Sequence, residues 1–176
     1  MRIKNRFFWI AAFVALVIDQ ITKYWVIQAF ELNETVPIWN QVFELTYVTN
    51  PGAAFSLFSD GGGWLRWLSL IVSIGLMALA WFGPPMNRLE QAGYGFILGG
   101  ALGNGIDRFA AGEVVDFLKF CIFWSADGCE YWFPVFNFAD VSINIGIICL
   151  LYAAFRPPQH PSQSPRSPNP PSSNRL

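Results

Sequence analysis

The chain has 176 residues, 53% of them hydrophobic, 17% aromatic and only 13% charged, with a mean hydropathy of +0.37. That balance is too apolar for an ordinary soluble domain of this size and places the chain in the membrane class. A formal net charge of -1 offers no broad basic surface and argues against nucleic acid as a partner.

Four segments reach the roughly 20 apolar residues needed to cross about 30 Å of hydrocarbon: 7–28, 64–82, 91–109 and 136–155. The expected fold class is therefore an all-α membrane protein of four transmembrane helices, with residues 1–155 as one domain. Arg2, Lys4 and Arg6 precede the first segment, Arg88 separates the second from the third, and Arg156, Arg166 and Arg175 follow the fourth. The loop 31–63 carries Glu31, Glu34, Glu44 and Asp60 with no Lys or Arg. The positive-inside rule then puts both termini in the cytoplasm and the loops 31–63 and 110–135 outside. The start resembles a signal peptide, but its apolar run contains Asp19 and Lys23 and ends in no small-residue cleavage site, so a retained helix is expected.

In that helix Asp19 and Lys23 stand at i,i+4 and can pair on one face. Asp19 lies 12 residues beyond Phe7, about 18 Å along the helix and so in the outer half of the bilayer. For Lys23, snorkelling to the outer headgroups weighs at least as much as a catalytic task. Residues 42–58 are rich in β-branched and aromatic types, with Phe43, Leu45 and Tyr47 alternating and Asn50-Pro51-Gly52 supplying a turn. They predict a small extracytoplasmic β-rich region on the membrane surface.

The third segment holds Gly95, Gly99 and Gly103 at intervals of four, a device for close helix packing. Asn104, Asp107 and Arg108 then share one face near its outer end. Asp116 follows between Val114-Val115 and Phe117-Leu118, where a lone carboxylate is costly. Cys121 and Cys129 share one outer loop and can form a disulfide, whereas Cys149 reads as a small buried hydrophobe. The fourth segment opens with Asn137, Asp140 and Asn144, a polar stripe entering the membrane, in which Asn137 suits a helix N-cap. From residue 156 the chain is Pro/Ser-rich without acidic residues, and 156–176 is expected to be a disordered cytoplasmic tail. No metal site or nucleotide loop is visible, and no cofactor is expected.

Ionisable residues in a membrane need a partner or a task, and Asp19, Asn50, Asn104, Asp107, Arg108, Asp116, Asn137 and Asp140 all fall at one depth, the outer interface. In order along the chain stand Asp19-Gln20-x-x-Lys23, Asn50-Pro51-Gly52-Ala53-Ala54-Phe55, Gly99-Gly100-Ala101-Leu102-Gly103-Asn104 with Ile106-Asp107-Arg108, Val114-Val115-Asp116-Phe117, and Phe136-Asn137-x-Ala139-Asp140. These five blocks, over roughly residues 15–150, resemble the lipoprotein signal peptidases (signal peptidase II), aspartic endopeptidases of the bacterial cytoplasmic membrane. The resemblance implies that Asp116 and Asp140 are the catalytic pair, with Asp19, Lys23, Asn50, Gly52, Asn104, Asp107, Arg108 and Asn137 around the substrate. It implies a diacylglyceryl-modified prolipoprotein as substrate, cut just before the modified cysteine at the outer leaflet. Membrane lipid is then the other partner, and a monomer is expected. The chain departs from the family pattern in a longer connection around Cys121 to Glu130 and in Trp132-Phe133-Pro134, where the family places Trp directly before Pro.

Two carboxylates about 4 Å apart at an effective dielectric near 20 repel by about 4 kcal/mol, which separates their titrations by about three pH units. Such a pair shares one proton near neutrality, and its two halves serve as base and acid for peptide hydrolysis. The competing readings are a small proton-coupled transporter and a structural membrane subunit. A transporter would spread polar groups through the bilayer, yet the second segment offers only Arg66 at its edge with Ser69 and Ser73.

Overall fold

The computed structural model describes residues 4–52 and 62–155. The expected tail 156–176 and the 53–58 portion of the β-rich stretch lie outside the described residues. The elements run α1 (Arg6–Ala29), β1 (Thr35–Trp39), β2 (Phe43–Asn50), α2 (Leu65–Phe82), α3 (Arg88–Ala110), β3 (Val114–Ser125), β4 (Gly128–Trp132) and α4 (Phe138–Phe155).

The helix ends follow from local chemistry. Asn87 accepts from the backbone N–H groups of Leu89 and Glu90 while the Glu90 carboxylate accepts from the Asn87 N–H, a reciprocal cap that starts α3 at residue 88 rather than 91. Asn137 Oδ1 accepts from the Asp140 N–H and Asp140 Oδ2 from the Asn137 N–H, so α4 begins at Phe138, two residues later than expected. At the other end of the bundle Lys4 Nζ donates to the terminal carbonyls of α2 at Trp81 and Gly83, the end where the helix dipole is negative.

Helix α3 is the centre of the bundle and packs against α1, α2 and α4. The glycine ladder explains how: a Cβ on Gly95 would strike the Phe8 carbonyl and lie 2.8 Å from the Ala11 Cβ, and one on Gly99 would lie 2.6 Å from both the Ala12 carbonyl oxygen and the Ala15 Cβ. Only bare backbone lets α1 come this close. Among the described residues three helices, α1, α2 and α4, are long and apolar enough to cross a membrane. Helix α3 is 23 residues long but richer in Gly and polar residues, because its neighbours cover it. Ile10, Phe13, Ile71, Ile74, Ile148 and Leu151 are exposed on the outside of the bundle, as hydrocarbon rather than water would favour.

The β-rich region is larger than the sequence reading, which stopped at residue 58 and treated 110–135 as a loop. Among the described residues it is a four-stranded antiparallel sheet in the order β1-β2-β3-β4, so the expected small β-rich region is present and takes in most of the stretch expected to be loop. Strand β3 pairs with β2 with Val48 opposite Asp116, and the register shifts between Leu45 and Val48, a bulge in β2 beside Asp116. Phe117 and Leu118 from β3, with Val26 of α1, form a core that Phe43, Leu45, Tyr47 and Phe136 close. Cys121 and Cys129 are joined in a disulfide across the β3–β4 hairpin. Cys149 is free and half-buried, less enclosed than expected, because its stretch of α4 faces outward.

Candidate functional site

The two aspartates reach the site from different elements. Asp116 hangs from β3 and is buried; Asp140 sits in the first turn of α4 and is half-buried. Two asparagines join them. Asn137 Nδ2 donates to Asp116 Oδ1 at 2.7 Å, and Asn104 Nδ2 donates to Asp140 Oδ1 at 2.8 Å. Asn137 Nδ2 also reaches Asn104 Oδ1 at 3.0 Å, closing a chain of polar contacts between the carboxylates. Asn137 thus serves at once as helix cap and as ligand to Asp116.

Asn50 ends β2 and donates from Nδ2 to Asp116 Oδ2 at 3.1 Å, while its Oδ1 accepts from the Gly52 N–H at 3.0 Å. This Asx turn aims the side chain. Gly52 is buried, and its carbonyl accepts from Arg108 Nη2 at 3.1 Å. Arg108 Nη1 reaches the Asn104 carbonyl at 3.4 Å, and its Nε is buried with no hydrogen-bond partner among the described residues.

Behind this face lies a charged layer. Lys23 Nζ contacts Asp19 Oδ2 at 2.9 Å, Asp107 Oδ2 at 2.7 Å and Asn104 Oδ1 at 2.8 Å. Lys23 is 2% exposed and Asp19 0%, so the lysine does not snorkel: its charge is satisfied inside the bundle. Asp19 Oδ1 accepts from the Ala139 N–H at 2.8 Å, which ties α1 to the start of α4. Asp107 Oδ2 accepts from the Val115 N–H at 3.4 Å and so holds the residue next to Asp116. Gln20 belongs to this layer, with Nε2 on Asp19 Oδ2, the Gly103 carbonyl and Asp107 Oδ1 at 3.1–3.3 Å. Sequence reasoning missed Gln20 as a site residue, although its place beside Asp19 in the first block was the available signal.

Burial pushes the Asp116 carboxyl up to about 7, and the neighbouring Asp140 charge adds to this; the hydrogen bonds from Asn50 and Asn137 and the Lys23 charge oppose it. A carboxyl poised near neutrality beside a second one is the arrangement acid–base chemistry requires. Both face a cavity of about 970 Å³ lined by Val48, Asn50, Asn104, Arg108, Phe133 to Phe136, and the first half of α4 as far as Ile148. One wall is residues 133–136, held to β3 by Phe133 N–H to the Phe120 carbonyl at 2.7 Å and by the Leu118 N–H to the Phe136 carbonyl at 2.8 Å. The mostly apolar lining with polar groups at one end suits an amphiphilic substrate.

The chain is similar to known proteins along most of its length. Residues 11–156 match the family model described as signal peptidase (SPase) II. A lipoprotein signal peptidase from Cyanothece sp. is 59% identical over 180 residues, covering 100% of this chain and 99% of that protein. One from Nostoc sp. is 58% identical over 166 residues, covering 94% and 100%. Two solved bacterial membrane enzyme structures are similar: one with a TM-score of 0.71 at 30% identity over 82% of this chain and 85% of that one, the other with 0.69 at 28% identity over 84% and 91%.

Proposed function

The chain belongs to the signal peptidase II family of lipoprotein signal peptidases, and from that premise we propose that Asp116 and Asp140 are its catalytic dyad. The protein is a membrane aspartic endopeptidase that removes the signal peptide from bacterial prolipoproteins by hydrolysing the bond before the diacylglyceryl-modified cysteine. The observation that carries the dyad is the joining of the two carboxylates by Asn104 and Asn137 at the head of one cavity.

In this reading the pair holds one proton near neutral pH, and Asp116, pushed up to about 7, is its main holder. Asp140 takes a proton from a water molecule whose oxygen adds to the scissile carbonyl carbon. Asp116 donates its proton to the carbonyl oxygen, giving a neutral tetrahedral intermediate. Collapse returns the Asp116 proton and passes the Asp140 proton to the departing nitrogen, and the C–N bond breaks. Arg108 lines the same cavity and its guanidinium supplies N–H donors to the substrate carbonyls, while Asn50 and Gly52 shape the same rim. Asp19, Lys23 and Asp107 act from behind, by positioning α4, Asn104 and β3.

The same proposal has α3 crossing as the fourth span, both termini cytoplasmic, the dyad at the outer leaflet and a monomeric enzyme in contact with lipid. Support for the orientation comes from the gathering of Lys4, Arg6 and Arg88 at the end away from the dyad, where both guanidinium groups lie over the Phe7 ring at 4.9 and 5.3 Å.

The test is cleavage of a diacylglyceryl-modified prolipoprotein by the purified protein in lipid or detergent with EDTA present. Wild type should cut before the modified cysteine, while Asp116→Asn and Asp140→Asn, each folded, should fall by at least about 10²–10⁴-fold. Either variant cutting at the wild-type rate would remove that residue from the dyad.

A further inference from the structure

The cavity does not end at the dyad. Past Asp140 its wall continues along α4 through Val141, Ile145 and Ile148, all hydrocarbon, and Asn144 stands among them. Asn144 is exposed, whereas Ser142 is buried and donates to the Phe138 carbonyl at 2.8 Å. The Asn144 carboxamide donates from Nδ2 to the Asp140 carbonyl at 2.9 Å, its one hydrogen bond among the described residues. Its oxygen and second N–H are therefore left over at a depth where water is scarce, and an unpaired amide there is costly.

A signal peptide brings what this amide lacks. It rises through the bilayer to the scissile bond, and the residues before the cut lie deeper than the dyad. To fit between two carboxylates its last residues must be extended. That breaks the helical hydrogen bonds of the final turn and leaves backbone N–H and C=O groups needing partners inside the membrane. Asn144 is four residues past Asp140, about 6 Å deeper along the helix. An extended chain advances about 3.3 Å per residue, so 6 Å corresponds to about two residues.

We propose that Asn144 binds the main chain of the signal peptide about two residues before the scissile bond, its oxygen accepting the peptide N–H and its free N–H donating to the carbonyl. This rests on Asp116 and Asp140 being the dyad. It makes Asn144 a specificity-determining contact that reads the extended backbone and leaves side-chain choice to the apolar wall. Because the contact forms before and during the reaction alike, its loss falls on KM.

The experiment uses the intact enzyme in lipid with two diacylglyceryl-modified prolipopeptides, one all-amide and one in which an ester replaces the peptide bond whose N–H lies two residues before the cut. Asn144→Leu keeps the size and removes both polar groups; Asn144→Gln keeps a carboxamide on a longer stem. We expect Asn144→Leu to raise KM about tenfold on the all-amide substrate with an unchanged pH profile, and Asn144→Gln to recover part of it. The ester should weaken binding to wild type and not to Asn144→Leu. A wild-type KM in Asn144→Leu, an equal ester penalty in both proteins, or a loss confined to kcat with a shifted pH profile would each overturn the inference. Asp140→Asn runs alongside: activity there would overturn the dyad itself, whereas an inactive Asp140→Asn beside an unaltered Asn144→Leu defeats only the Asn144 contact.

Discussion

Replacing Lys23 by methionine keeps the apolar stem and removes the ammonium, which separates support from substrate binding. Nζ lies 2.9 and 2.7 Å from two carboxylates and 2.8 Å from Asn104 Oδ1. At an effective dielectric near 20 each ion contact is worth about 6 kcal/mol of gross attraction. Burying the ammonium cancels most of that, but its removal leaves Asp19 and Asp107 enclosed without a cation, and breaking such a buried network costs about 3–5 kcal/mol. For a chain of this size that lowers the melting temperature by roughly 6–20 °C. Thermal unfolding in detergent, followed by tryptophan fluorescence, should show this fall. Below the melt kcat should drop with KM steady, because Asn104 loses an anchor while still holding Asp140. Adding Asp19→Asn should restore part of the stability by removing one uncompensated charge. A Lys23→Met protein with the wild-type melting temperature and a raised KM would refute the reasoning and place the ammonium on the substrate.

The alkaline limb of kcat/KM should fall about tenfold per pH unit above about 7, as the shared proton leaves Asp116; an activity flat to pH 9 would deny Asp116 that role. Because the folded carboxyl titrates near 7 and the unfolded one near 3.8, the folded state holds the extra proton between these values. The Asp116 contribution to stability is thus fully present below about 3.8 and lost as pH rises to about 7. The melting-temperature difference between Asp116→Asn and wild type should shift in the variant's favour over that window; a constant difference would contradict the sign. Gly100→Ala places a Cβ against the Ala139 carbonyl and 2.7 Å from Ile143 Cγ1, so α4 must move; about 1–3 kcal/mol of stability should be lost, with kcat falling by up to about 10²-fold. Gly75→Ala, with open space around it, is the control and should change neither. Cys121→Ser or reduction opens a cross-link spanning a separation of 8 residues and should cost about 2–3 kcal/mol in the hairpin that backs the 133–136 wall, read as a lower melting temperature and a higher KM.

Much of the architecture was legible because it is written in local terms. Apolar run length marks the helices, and the spacing of Gly95, Gly99 and Gly103 marks where α1 packs. The Asp19–Lys23 pair follows from helical periodicity alone. Helix starts at Asn87 and Asn137 were misplaced by two or three residues, since the reciprocal Asn–Glu and Asn–Asp caps outweigh the apolar pattern that suggested the boundaries. The length of the sheet was hidden for a different reason: β3 finds its partner β2 across a turn and two helices, and no periodicity within 114–125 reports a strand so far away.

The sequence by itself determined which residues to expect at a common site, since ionisable and amide side chains in or beside apolar segments, in five ordered blocks, each need a partner or a task. Only the tertiary structure decided what each one does. Spacing pairs Asp19 with Lys23 and leaves Lys23 free to reach the headgroups, yet helix packing buries both, with half-buried Asp107 on the same ammonium, on the far side of Asn104 from Asp140. Asn137 looks like a cap and is also the link to Asp116, because β3 brings that carboxylate to the start of α4. Spacing in a chain fixes which face of an element a residue occupies; what stands opposite that face is set by packing between elements distant in sequence, and burial, hydrogen bonding and the poise of Asp116 all follow from that opposite face.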